Sequence, residues 1–220
     1  MDRYVPRYCR VYLVDDHDIV RRGLRDLLVD ARDIHVVGDS GSVHDAIPDL
    51  LRLETDVMLL DLQLQDGTGV EVCRAVRSVN PAVSGLILTA SGDDEGRAAA
   101  VLAGAAGHLV KLSRSSDIIG TLRKVRAGVS LIDAHGMERA SGMLHSIAGS
   151  IRPRLTDAEL RMLDGVIAGH TDSEIADGMT AEGGHPTTAL RSLVARVTDG
   201  LIRPGTLPAD AGSGRHRRTD

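Results

Sequence analysis

Between residues 10 and 128, short apolar runs alternate with longer stretches whose apolar positions recur every three to four residues. The runs lie at 11–14, 34–38, 57–60, 86–88 and 107–110. The helical patterns lie at 19–29, 43–53, 69–78, 95–103 and 116–126. Five strand–helix repeats predict an α/β fold, a doubly wound five-stranded parallel sheet covered by helices on both faces. Right-handed crossovers leave few alternatives to that winding. Pro48 falls inside the second helix and is expected to kink or shorten it.

Beyond Gly128 the periodicity fades. Residues 130–153 read as a linker holding a short helix near 134–147, with Gly149 to Pro153 a connector by composition. Met137, Met143, Leu144 and Ile147 are free to dock on either domain or on a second chain. At Thr156-Asp-Ala-Glu159 a capping box opens a helix with Leu160, Leu163 and Ile167 as its apolar stripe, ended by Gly169. A second box, Thr171-Asp-Ser-Glu174, starts the next helix, with Ile175, Ala176 and Met179. A third begins near Pro186, carries Leu190, Leu193, Val194 and Val197, and stops at Gly200. Three short capped helices suggest a helix-turn-helix unit. The expected organisation is a first domain over 9–129, a linker over 130–153, a small all-α domain over 154–203, and a disordered basic tail over 204–220.

Composition narrows the possibilities. With 26 Lys+Arg against 31 Asp+Glu, the net charge of −5 gives no global sign of nucleic acid. There is no Phe or Trp, only Tyr4, Tyr8 and Tyr12, so the core must be aliphatic and base-stacking platforms are ruled out. Cys9 and Cys73 lack metal-binding spacing and read as two structural thiols of a reduced cytoplasmic protein. No signal peptide and no apolar run of membrane-spanning length is present, so no membrane association is expected.

The strand ends carry the chemistry. The first run ends in Asp15 and Asp16, the third in Asp61, the fourth in Thr89 before Ala90 and Ser91, and the fifth in Lys111. Ligands of open α/β sheets collect beyond the carboxyl ends of the strands. Asp15 and Asp16 also admit a plainer role, a polar strand exit with Asp16 or Asp18 capping the next helix. The full set supports phosphoryl transfer to a carboxylate. Asp61 would be the nucleophile. Asp16 and Asp61, helped by Asp15, would hold Mg²⁺, Lys111 would neutralise phosphoryl oxygens, and Thr89 would hydrogen-bond one of them. An enzyme turning over a small substrate is not expected, because no other strand-end residue suggests a substrate pocket.

Val-Asp-Asp-His (14–17), Leu-Leu-Asp-Leu (59–62), Leu-Thr-Ala (88–90) and Val-Lys (110–111) resemble the receiver (flavodoxin-like) domain of two-component response regulators. Val20-Arg-Arg-Gly-Leu24, Val36-Val-Gly38 and Ala100-Val-Leu-Ala-Gly-Ala-Ala-Gly107 are similar to the NarL/FixJ subfamily and to actinobacterial dormancy regulators. The resemblance implies phosphorylation of Asp61 by a sensor histidine kinase. It also implies Mg²⁺ on Asp15, Asp16, Asp61 and the backbone carbonyl of Gln63, and a switch made by Thr89 and the fifth-strand ring position. Two departures stand out. Leu64-Gln-Asp-Gly67 replaces the usual Leu-Pro-Asp-Gly loop, and His108 stands where the family has Tyr or Phe. A histidine there would weaken the switch, or move in a similar way and add pH sensitivity.

In the second half, Leu155-Thr-x-x-Glu159, Ala168-Gly169 and Ser173-Glu-Ile-Ala176 resemble the LuxR-type helix-turn-helix domain. That implies transcription regulation by a homodimer on double-stranded DNA. The reading element departs: Gly183-Gly184-His185-Pro-Thr187 replaces the usual Thr-Val-Lys opening. Residues 151–203 hold six arginines and no lysine against eight acids, a formal charge of −2, where a DNA-binding module usually shows a basic face. Thr187, Thr188, Arg191 and Arg196 remain as candidate DNA contacts. Arg215-His-Arg-Arg218 is either a mobile phosphate contact or a solvated end. The alternative is a phosphate-accepting interaction module that has lost DNA reading.

Overall fold

The computed structural model describes residues 8–90, 93–111, 113–151, 153–179 and 186–203. Tyr4, Ser91, Arg152, Gly183, Gly184, His185 and the tail 204–220 lie outside them.

The first half runs β1 (Cys9–Val14), α1 (Asp18–Val29), β2 (Ile34–Ser40), α2 (Val43–Arg52), β3 (Val57–Asp61), β4 (Gln63–Leu64), β5 (Gly67–Thr68), α3 (Gly69–Val79), β6 (Ser84–Thr89), α4 (Asp93–Ala103), β7 (Gly107–Val110) and α5 (Ser115–Arg126). The sheet is parallel, in the order β2-β1-β3-β6-β7. Alternate residues of its strands serve opposite layers. Val11, Leu13, Leu59 and Leu86 join Leu24, Leu28, Ile118 and Leu122 of α1 and α5. Tyr12, Val14, Met58, Leu60 and Ile87 join α2, α3 and α4. Tyr12, fully buried, donates its hydroxyl hydrogen bond to Asp49 Oδ2 at 3.1 Å.

The helices of the first half match their expected spans within two residues at each end, β7 matches its apolar run, and β1, β2, β3 and β6 run longer than theirs. Within the connection after Asp61, which reads from the sequence as a loop, β4 and β5 form an antiparallel hairpin that buries Leu64. Helix α2 continues through Pro48 and ends one turn later at Arg52, capped at its start by Ser42. Neither Asp16 nor Asp18 caps α1. The cap residue is His17, without a side-chain cap bond, and its N–H donates to Asp15 Oδ1 at 2.9 Å.

The second half comprises α6 (Ala134–Ser150), α7 (Asp157–Ile167), α8 (Asp172–Asp177) and α9 (Pro186–Ile202). Composition understated α6, a 17-residue helix where a short one and a connector were expected. Ala140, Leu144 and Ala148, at i, i+4, i+8, form a buried stripe that packs on α4 and sustains the helix past its glycines. Both capping boxes form, Thr156 with Glu159 and Thr171 with Glu174, and Gly169 ends α7 in the left-handed region at φ +85°. Leu160 departs from the expected stripe: it is exposed, while Leu163 is buried as expected and Met162 and Val166 are buried beside it. Helix α9 passes Gly200 because Leu201 beyond it is buried. Apolar residues of α6 to α9 are continuous with the core on the α2–α4 side of the sheet. Arg74 of α3 and Asp172 of α8 form an ion pair between the two halves, their side chains only 10% and 12% exposed.

Among the described residues no helix is long and apolar enough to cross a membrane. Both cysteines are free and buried, and burial pushes the Cys9 thiol up to about 11 and the Cys73 thiol to about 12. A thiol that holds its proton more tightly when folded stabilises fully below the unfolded value of 9.0, and that contribution is lost as pH rises toward the folded values. Native protein at pH 8 is therefore expected to resist an aromatic disulfide reagent while denatured protein releases two equivalents. Melting temperature should fall above about pH 9. Rapid reaction of either thiol in the native state would contradict the packing around it.

Candidate phosphoacceptor site

Parallel register gathers the strand-end residues at one rim. Leu60 lies beside Val14, Asp61 beside Leu88 and Thr89 beside Val110, so Asp15, Asp61, Thr89 and Lys111 emerge within two residues of each other in height. Asp15, Asp61 and Thr89 are buried, and Asp16 is half-buried. Lys111 Nζ stands 2.7 Å from Asp15 Oδ2 and 2.7 Å from Asp61 Oδ2. The N–H of Gln63 donates to Asp61 Oδ1 at 3.4 Å.

Burial pushes the Asp61 carboxyl above its ordinary range, and the Asp15 charge adds to this, against the hydrogen bond from Lys111. Burial also works against the Lys111 charge. Its ion pairs with Asp15 and Asp61 outweigh that and raise its pKa. The site therefore holds an ammonium firmly between two crowded carboxylates.

One donor atom each from Asp15, Asp16, His17 and Asp61 falls within a mutual 4.8 Å. Asp15 Oδ2 and Asp16 Oδ1 are closed to solvent and receive no aligned hydrogen bond, although Lys111 Nζ and His17 Nδ1 lie 2.7 Å from them. Buried carboxylate oxygens left in this condition are costly unless a cation answers them. Three hard oxygen ligands with room for waters suit Mg²⁺.

Gly69 opens α3 directly behind Asp61. A Cβ there would overlap the Asp61 carbonyl oxygen and stand 3.0 Å from Leu60 Cβ. Gly69→Ala is expected to destabilise the fold by about 2 kcal/mol and shift Asp61, measured by thermal melting beside phosphoryl acceptance. A melting curve and an acceptance rate equal to wild type would contradict this close approach.

The structure brings Asp15, Asp16, Asp61, Gln63, Thr89 and Lys111 together, with His108 two residues before the end of β7. Sequence reading had not placed the His17 ring in the acidic cluster, although its adjacency was visible. Nor had it brought Leu201 and Ile202 of α9 to the site. With Asp61, Thr89 and Lys111 they line a cleft of about 340 Å³, and no signal in the chain announced it.

The candidate DNA contacts divide. Thr187 and Thr188 are exposed on the first turn of α9. Arg191 lies on the stripe that, with Val194, Ala195 and Ile202, faces a cavity of about 670 Å³ shared with Leu64 and Arg74 of the receiver half. Arg196 is engaged within the helical unit, donating to Glu159 Oε1 at 2.6 Å and to the Pro153 carbonyl at 2.7 Å.

Comparison with known proteins gives a consistent result. The model of the response regulator receiver domain matches residues 11–123. The chain is 40% identical over 172 residues to the DNA-binding transcriptional activator DevR/DosR of Mycobacterium tuberculosis, covering 77% of this chain and 79% of that one. A crystal structure of a LuxR-family two-component response regulator from Aurantimonas sp. SI85-9A1 is 27% identical, with a TM-score of 0.55, covering 61% of this chain and 96% of that one. The RcsB response regulator of Salmonella typhimurium, 22% identical, covers 90% of this chain and 91% of its own, with a TM-score of 0.51, a likeness of fold alone.

Proposed function

The chain belongs to the response regulators of the LuxR-type (NarL/FixJ) family, and from that premise we propose that Asp61 accepts a phosphoryl group from a sensor histidine kinase and so frees α9 to bind DNA. The observation that carries the acceptor reading is the buried Asp61 carboxylate, fixed at the strand rim with Lys111 Nζ at 2.7 Å and two further acids beside it.

Asp61 Oδ attacks phosphorus, the donor's bond to phosphorus breaks, and an aspartyl phosphate results. Lys111 stays protonated throughout and neutralises charge on the transferring oxygens. Thr89 donates its hydroxyl to one of them. Asp15, Asp16, Asp61 and the Gln63 carbonyl would hold Mg²⁺, which when bound offsets the negative charge of donor and acids. Labelling by phosphoramidate is therefore expected to vanish in excess chelator and to return with added Mg²⁺. Unchanged labelling in chelator would contradict the metal assignment.

The cleft couples the site to the second half. A dianionic phosphoryl group next to Leu201 and Ile202 meets apolar side chains that cannot solvate it. The closed packing of α9 becomes less favourable, and the helical unit moves away. Thr187, Thr188 and Arg191, already exposed, are then carried clear of the receiver half, and a homodimer would present two such helices to half-sites about one DNA turn apart. The acid excess in residues 151–203 favours the other reading, a phosphate-accepting interaction module, and DNA selection by the full chain separates the two.

A further inference from the structure

We infer that Gly96 of α4 is the positioning residue through which this helix follows the phosphoryl site, and that it must lack a side chain to do so. A Cβ on Gly96 would stand 2.5 Å from His108 Cδ2, 3.0 Å from His108 Cγ and 2.9 Å from Thr89 Cγ2. Real Cβ atoms do not approach other atoms so closely. The backbone of α4 thus lies directly against the Thr89 methyl and the Cγ–Cδ2 bond of the His108 ring, with no side chain of its own between them. Any displacement of Thr89 toward a phosphoryl group on Asp61 opens or closes space at Gly96.

The other sides of α4 lead to the helical half. The helix packs on α6, α7 and α9. Asp94, two residues before Gly96, pairs with Arg97 at 2.6 Å and with Arg139 of α6. Arg97 in turn lies against Gly136 at the start of α6, where a Cβ would meet Arg97 Cδ at 3.0 Å. One rigid helix therefore touches the phosphate-sensing threonine on one side and the helices to be released on the other. Packed elements of this kind respond by discrete shifts more than by gradual deformation. His108 keeps a role here despite replacing a larger ring, because Gly96 supplies the surface against which an imidazole fits.

This inference rests on the acceptor reading of Asp61, and its test separates the two. Full-length wild type, Gly96→Ala, His108→Ala and Gly120→Ala are compared. Gly120 lies in α5 with open space around it and controls for the helix preference of alanine over glycine. Phosphoramidate with Mg²⁺ reports acceptance by an added phosphoryl mass, and beryllofluoride with Mg²⁺ reports release by hydrogen exchange of the α9 amides. Wild type and Gly120→Ala are expected to accept the group and to exchange α9 amides about tenfold faster with beryllofluoride. Gly96→Ala should accept the group at a rate near wild type and show no such acceleration. His108→Ala, which adds no clash and carries the test if Gly96→Ala does not fold, should show a reduced one. Acceptance with full acceleration in both the Gly96 and His108 variants would overturn the role of Gly96 and leave the acceptor reading standing. Absence of phosphoryl mass on the wild type would overturn the acceptor reading and this inference with it.

Discussion

Asp61→Asn is expected to abolish incorporation of a phosphoryl group from phosphoramidate, read by intact mass on the full-length protein. A carboxamide is not a nucleophile toward phosphorus, and no neighbouring group replaces it. Asp15 is the other acid in contact with Lys111, but it is fully buried and its Oδ1 accepts from the backbone of His17. The variant should remain folded, because a neutral group at position 61 relieves the crowding of two buried carboxylates while Lys111 keeps Asp15 as its partner. Loss of label with an unchanged melting curve identifies Asp61 as the acceptor. Persistent label of equal extent would move the acceptor elsewhere.

The second large effect concerns the closed packing. Asp172→Ala leaves the Arg74 guanidinium without its counter-charge at a junction where both side chains are nearly buried. One Arg74 N–H still reaches the Leu102 carbonyl at 2.9 Å, but a neutral acceptor does not replace a carboxylate. Removing one partner of a buried pair costs about 3 kcal/mol, enough to shift a closed-to-open equilibrium about a hundredfold. The expected result, without any phosphodonor, is faster hydrogen exchange and earlier proteolysis in α9, together with a larger radius of gyration. Asp172→Ala that exchanges and scatters like the wild type would show that this pair does not hold the halves together.

The first half was legible because its signals are local and repeated. Each strand of the five-stranded sheet announced itself by an apolar run, and each run except the second ended in the residue that the register then brought to a shared rim, so Asp15, Asp61, Thr89 and Lys111 could be placed by position alone. The β4–β5 hairpin was hidden, since two-residue strands carry no periodicity. Helix α6 was underestimated because Gly142 and Gly149 lower helix propensity, whereas the Ala140-Leu144-Ala148 stripe gains its stability from packing on α4, which no local window contains. The capping boxes at Thr156 and Thr171 are short-range chemistry and formed as read. The contacts that join the halves, Arg74 with Asp172 and Leu201 with the cleft at Asp61, link residues about a hundred or more positions apart. Neither member of such a pair is distinctive on its own. Leu160 shows the same limit on a smaller scale: its spacing fitted the stripe, and the packing of α4, α8 and α9 around α7, which no local window contains, leaves it exposed while Met162 is buried.

The measurement that tests the central claim most directly is selection from fragmented genomic DNA by the purified full-length protein at one fixed, moderate salt concentration, with and without beryllofluoride and Mg²⁺. Salt is held constant because phosphate contacts alone change affinity steeply with it. The account predicts that a small set of fragments is enriched with beryllofluoride and not without it, and that Asp61→Asn gives none in either condition. No enrichment in any condition, from protein whose Asp61 still accepts a phosphoryl group, would contradict it and leave the interaction module as the function of this chain.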